Sequence, residues 1–176
     1  MKQTEVKKSE IKLVGLSVRT SNAREFNPDT AKIGSTLERY RAEDIASQIS
    51  NRVNPGVMYC VYTDYVIDEH ADYTYFVGEE VDSFENTPMG YETLTIPDSS
   101  YQKFECGPGQ MPDICIEAWQ KIWGFSDEEL QGKRSYQADF EVYDYSRQLG
   151  DSQDDQKTQD PSNMRFDIFV GISESW

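Results

Sequence analysis

The sequence predicts an α+β fold: two β-α-β-β units related by a pseudo-twofold axis, with a central ligand cleft. A repeated pair of motifs carries this reading. Val61-Tyr62-Thr63-Asp64-Tyr65 precedes Tyr75-Phe76-Val77-Gly78, and Val142-Tyr143-Asp144-Tyr145 precedes Ile168-Phe169-Val170-Gly171. In each half the motifs follow a strand-like segment and a helix-like segment. One copy alone has no partner for its apolar face, so the two copies are expected to form a single domain over residues 1–176, with the ligand in the groove between them.

Taken in order, Glu10 to Ser21 reads as a strand through Ile11, Leu13, Leu16 and Val18. Asn22 to Asp29 reads as a connection. A helix is expected over about Thr30–Arg52, where Ile33, Leu37, Tyr40, Ile45 and Ile49 recur near helical spacing and Asn54-Pro55-Gly56 ends it. Val57–Val66 and Tyr73–Asp82 are rich in Val, Tyr, Thr and Phe, as strands are; the turn Asp68–Asp72 joins them. Unit one thus spans about 10–82.

Unit two is expected over about 91–173. Its opening strand region is Tyr91–Ile96 and Tyr101–Cys106. Pro112 starts a helix running to about Trp123, and Gly124–Lys133 is a polar connection. Ala138–Tyr145 and Met164–Ser173 are the closing strands. Between them, about 147–163 is acidic and nearly free of apolar residues, so a mobile loop is expected there.

Composition narrows the function. In 176 residues, 37% are hydrophobic and 12% aromatic, too apolar for a disordered chain. The net charge of −15 repels nucleic acid and anionic membranes and favours cationic partners or plain solubility. No apolar run is long enough for a membrane span, and Met1–Glu10 lacks a signal-peptide core; a cytoplasmic location is expected. One histidine and three cysteines without a CxxC pair give little basis for a zinc site. Cys60, Cys106 and Cys115 read as structural thiols. Gly107-Pro108-Gly109 lacks the lysine of a phosphate loop. No metal or cofactor is expected.

The stretches Met58–Tyr65, Asp72–Val81, Glu117-Ala118-Trp119-Gln120-Lys121-Ile122-Trp123, Asp139-Phe140-Glu141-Val142-Tyr143 and Asp167-Ile168-Phe169-Val170 together resemble the GyrI-like effector-binding domains of bacterial transcription activators (the AraC-type effector-binding family). The resemblance is strongest to the stand-alone, integron-cassette-associated subgroup and covers about Ile11–Ile172. It implies a duplicated fold whose cleft binds hydrophobic, often cationic, small molecules, and a glutamate at the position of Glu141 that pairs with the cation. Many members are sensor halves fused to a helix-turn-helix. Only ten residues precede Ile11, so direct nucleic-acid binding is not expected; a protein partner stays open.

Residue by residue, strand alternation puts Phe140 and Val142 on one face and Asp139, Glu141 and Tyr143 on the other. Glu141 is then either a carboxylate in an aromatic hollow or a solvated glutamate on an outer face. The repeat matches Tyr143 to Tyr62 and Phe169 to Phe76, and these four are expected to line one groove or else to pack in the core. Trp119 and Trp123 are core residues or pocket wall. Glu79 and Glu80 are expected to be solvent-exposed. Three functions remain: a receptor for small hydrophobic, cationic molecules; a hydrolase with Glu141 as general base and Tyr62 or Tyr143 as proton donor; and an acidic protein-interaction or gyrase-inhibitor-like module.

Overall fold

The computed structural model describes residues 1–146 and 161–173. The strands are β1 (Lys2–Lys8), β2 (Ile11–Thr20), β3 (Val57–Thr63), β4 (Tyr73–Val81), β5 (Glu92–Ile96), β6 (Ser99–Gly109), β7 (Lys133–Arg134), β8 (Ala138–Asp144) and β9 (Met164–Ser173). They form one antiparallel sheet in the order β1-β6-β9-β8-β3-β4-β2-β5, with β7 on β9. The helices are α1 (Asn22–Glu25), α2 (Ile33–Ala42), α3 (Ile45–Gln48), α4 (Asp113–Trp123) and α5 (Asp127–Leu130). The architecture is α+β, and each half runs strand, helix, strand, strand.

Symmetry is visible in the strand order. β8 and β3 meet at the centre, followed outward by β9 and β4, then β6 and β2. The outermost strands are exchanged. β1, which leads into unit one, pairs along its whole length with β6 of unit two. β5, which leads into unit two, pairs with β2 of unit one. Tyr91–Ile96 therefore belongs to the sheet of unit one, not to the opening strand of unit two.

Both faces of the sheet are buried, which is why the central strands are apolar almost without alternation. One cluster holds every helical contribution: Tyr40 from α2, Ile45 from α3, Ala118, Trp119 and Ile122 from α4, and Leu130 from α5, packed on Cys60, Tyr75, Val77, Tyr143, Ile168 and Val170. The other cluster is drawn from strands alone, with Ile11, Leu13, Tyr59, Val61, Phe76, Ile96, Tyr101, Phe140 and Phe169. The repeated glycines have a steric cause. A Cβ on Gly78 would lie 2.2 Å from the Val14 carbonyl oxygen, and one on Gly171 would lie 2.7 Å from that of Ala138.

Several elements differ from expectation. The N-terminal residues form an edge strand, unannounced because only Val6 of Lys-Gln-Thr-Glu-Val-Lys-Lys packs on a core cluster. The helix expected over Thr30–Arg52 is two helices, because Asp44 adopts a left-handed conformation (φ 49°) between them. The connection after Gly124 contains α5, closed by a reciprocal capping box between Ser126 and Glu129. Glu79 is buried, 3% exposed, beside Arg52 at 3.6 Å. The acidic loop expected over about 147–163 falls largely outside the described residues.

A buried ion cluster ties the turn of unit one to β8. Asp139 is fully buried. Its Oδ2 accepts from Arg134 Nη2 and from the Tyr65 hydroxyl, both at 2.6 Å, and its Oδ1 accepts from the Gly171 amide at 2.8 Å. Arg134 also faces Glu69 at 3.4 Å and lies over the Tyr136 ring at 4.3 Å. Removing one partner of such a pair strands the other charge. Arg134→Met should destabilise the fold by roughly 3–5 kcal/mol, and adding Asp139→Asn should recover part of the loss. Urea denaturation of the two variants checks this; an Arg134→Met protein as stable as the parent contradicts it.

Candidate functional site

The site grows out of the pairing between β3 and β8. Their register sets Cys60 opposite Glu141, Met58 opposite Tyr143 and Val61 opposite Phe140. In the sequence repeat Val61-Tyr62 corresponds to Val142-Tyr143, so Cys60 corresponds to Glu141. Two equivalent positions face each other only where a twofold axis passes between them. Glu141 therefore sits on the pseudo-twofold axis, on the sheet face that the helices cover.

Glu141 is 3% exposed. The hydroxyl of Tyr62 donates to its Oε2 at 2.7 Å and the hydroxyl of Tyr143 to its Oε1 at 2.6 Å. These two tyrosines are repeat equivalents, so a symmetric pair of donors clamps one carboxylate. Trp119 Nε1 reaches down from α4 and donates to Oε2 at 2.8 Å. The Cys115 thiol, one turn earlier on α4, lies 3.7 Å from the Tyr143 hydroxyl. All three donors are neutral. They orient the negative charge without cancelling it.

The surroundings are aromatic. Tyr62 meets Tyr73, Tyr75 and Trp119 edge-on, with ring centroids 5.6, 5.6 and 5.4 Å apart. Trp119 stacks on Trp123 at 6.3 Å, and Tyr143 stacks on Phe166 at 5.0 Å and on Tyr145 at 6.5 Å. Such edge-to-face and offset packing is the arrangement ring quadrupoles favour. Burial pushes the Tyr62 and Tyr143 hydroxyls well above the ordinary tyrosine range, and the Glu141 charge pushes in the same direction. The Cys60 and Cys115 thiols are raised for the same two reasons, burial first. Both stay protonated near neutral pH, as structural thiols do.

Of the residues singled out from sequence, Glu141, Tyr143, Tyr62 and Trp119 are in direct contact, and Trp123 is half-buried behind Trp119. Phe76 and Phe169 are not part of this group. They lie in the strand-only cluster on the opposite face, where Phe169 stacks on Phe140 at 4.7 Å. The reason is parity: Tyr75 and Val77 face the helices, so Phe76 between them points away, and Phe169 is placed likewise between Ile168 and Val170. Sequence reading missed Cys60, Cys115, Tyr75 and Tyr40. One signal was available: Leu37-Glu38-Arg39-Tyr40 on α2 parallels Ile116-Glu117-Ala118-Trp119 on α4.

A separate open hollow is lined by Arg19, Arg24, Asp29, Thr30, Ala31 and Lys32. It shares no residue with the Glu141 cluster. Among the described residues, no group of three or more His, Cys, Asp or Glu is placed to hold a metal ion, and no helix is long and apolar enough to cross a membrane.

The profile of the integron-associated effector binding proteins matches residues 6–172. The chain belongs to this family. An integron cassette protein from the mobile metagenome of Vibrio cholerae has the same fold, with a TM-score of 0.73, 23% identity, and coverage of 97% of this chain and 95% of that one. SAV2435, whose structure holds tetraphenylphosphonium, superposes with a TM-score of 0.71 at 16% identity over 98% of this chain and 94% of its own. In sequence, YobU of Bacillus subtilis strain 168, named as a transcriptional regulator, is 26% identical over 163 residues, 93% of this chain and 92% of that protein. The chain is thus similar in sequence to a protein tied by name to transcription regulation.

Each hydroxyl that clamps the carboxylate should be measurable on its own. Tyr143→Phe removes the donor to Oε1 and keeps the ring stacked on Phe166. A hydrogen bond to a charged group contributes about 1.5–3 kcal/mol, so chemical denaturation should report a loss of that size. A loss below ~0.5 kcal/mol would mean that the carboxylate does not depend on this hydroxyl.

Proposed function

We propose that this protein is a receptor for a small hydrophobic cation, held at Glu141 under the aromatic rings of Tyr62, Tyr143, Trp119 and Trp123. One observation carries the reading: a buried carboxylate on the twofold axis is oriented by neutral donors alone. A carboxylate out of water without a counter-charge is costly. A cation with a greasy surface supplies that counter-charge and itself loses little hydration on entry. The ring faces add attraction of roughly 0.5–2 kcal/mol each once water is excluded. Tetraphenylphosphonium bound to a protein of the same fold supports this ligand class. The acidic surface, −15 overall, raises the local concentration of cations.

The hydrolase reading finds less support in the geometry. A general base needs a free lone pair aimed at water. The two oxygens of Glu141 already accept three strong hydrogen bonds, and a carboxylate has about four such sites. The receptor reading places the protein among ligand sensors of the kind used by transcription regulators, with a protein partner as the natural reader of the bound state.

Isothermal titration with tetraphenylphosphonium and with tetraphenylborate, an anion of the same shape, tests the reading. The parent should bind the cation and reject the anion. Glu141→Gln keeps the side-chain shape and removes the charge. It should weaken cation binding roughly 10- to 150-fold, the scale of a charged hydrogen-bonded interaction lost from a shielded site. Unchanged affinity in Glu141→Gln, with the fold intact by circular dichroism, removes the cation-receptor reading.

A further inference from the structure

The turn between β3 and β4 is fixed more firmly than a connection needs to be. Asp64 bends the chain through a left-handed conformation (φ 51°), and the Val66 amide donates to the Asp72 carbonyl at 3.0 Å. Unit two holds the turn through the Tyr65 hydroxyl on Asp139 at 2.6 Å and through Arg134, 3.4 Å from Glu69. From the other side α1 is tied to it twice. Asn22 Nδ2 donates to the Glu69 carbonyl at 3.0 Å, and Arg24 pairs with Asp72 at 3.3 Å.

What this framework presents to solvent is apolar. Val66 is 62% exposed and Ile67 72%. Exposed apolar residues standing singly are ordinary, and Phe26, Val53, Met89 and Ile116 stand singly. Val66-Ile67 is the one adjacent pair among the large exposed hydrophobics of the described residues. A loose turn would fold such a pair against the protein; this one, anchored at Tyr65, Glu69 and Asp72, keeps it outside. Its charges decide what fits there. Residues 64–72 contain four carboxylates and no lysine or arginine. Glu69 and Asp72 are matched by Arg134 and Arg24. Asp64 and Asp68, which flank the apolar pair, have no ion pair among the described residues; Arg19 reaches the main-chain carbonyl of Asp64, at 2.6 Å.

We infer that the 64–72 turn is a docking surface for a basic, amphipathic partner segment. An apolar side chain of the partner seats on Val66 and Ile67, and lysines or arginines on either side of it meet Asp64 and Asp68. A second copy of this chain is the poorer occupant, because its net charge of −15 is repelled by the same two carboxylates. The surface shares no residue with the Glu141 cluster, so it stands apart from the receptor reading. It lies close to that cluster all the same. Tyr65 packs on Tyr73 at 5.8 Å and Tyr73 on Tyr62 at 5.6 Å, which puts the turn two ring contacts from the hydroxyl that donates to Glu141.

The test uses two fluorescent peptides, a short amphipathic helix of leucine and lysine and a peptide with the same lysines and serine in place of every leucine. Fluorescence anisotropy at physiological salt reads the affinities. The parent should bind the leucine peptide roughly 10- to 100-fold more tightly, the effect of burying one or two apolar side chains. The double variant Val66→Ser/Ile67→Ser should lose that preference, while Met89→Ser, which removes a fully exposed apolar side chain elsewhere, should keep it. Asp64→Asn with Asp68→Asn should weaken both peptides by about 2- to 10-fold, the scale of two exposed ion pairs. The turn variants should bind tetraphenylphosphonium as the parent does. Equal binding of the two peptides by the parent, or a preference that survives in Val66→Ser/Ile67→Ser, overturns the assignment. A preference lost in Glu141→Gln places the peptide in the cation site and overturns it too. Sedimentation of the parent as a dimer that Val66→Ser/Ile67→Ser dissociates gives the surface to a second copy and removes the basic partner. None of these outcomes touches the receptor reading, which is decided by tetraphenylphosphonium alone.

Discussion

The pairing of β3 with β8 is the contact on which the rest of the molecule depends. It joins the two halves in one sheet, with seven residues of each strand in register. That register alone decides which residues meet at the axis. Shifting it by one residue would turn Glu141 toward Phe140's side of the sheet, away from Trp119 and both tyrosines. The outer strands reinforce the register, since β1 and β5 are each bound to the other half.

A sheet buried on both faces has a second effect. Polar groups on its central strands cannot rely on water, so each must find a partner within the protein. Along one face of β8 there are two solutions, two residues apart. Asp139 is paired with Arg134 and held by Tyr65 and Gly171, an arrangement complete in itself. Glu141 has hydrogen-bond donors but only neutral ones. The contrast separates a carboxylate paired with a cationic side chain from one held by neutral donors alone.

Much of this was legible in the sequence. The paired Val-Tyr and Phe-Val-Gly motifs announced the duplication, and strand alternation separated Glu141 from Phe140 correctly. The step that failed was to merge Tyr62 and Tyr143 with Phe76 and Phe169. Parity relates residues within one strand; between strands it needs the register, which composition does not display. β1 escaped notice because an edge strand with one packed valine reads as a charged tail. The division of the long helix turned on the left-handed conformation of Asp44, and aspartate visits that region only occasionally. The exchange of β5 was hidden because a strand's sequence does not name its neighbour.

The crossed-over edge strands have the form of two identical subunits that have traded arms and then been joined into one polypeptide. A homodimer of such subunits would be bound by its own symmetry at the centre. Any residue on the axis appears twice, so the number of carboxylates there is even, and two of them at that spacing would share a proton rather than both carry charge. Joining the subunits in one chain lifts that restriction. Position 141 holds an acid while position 60, opposite it, holds a thiol, so the axis carries a single carboxylate, which a strictly symmetric pair of subunits has no means to encode.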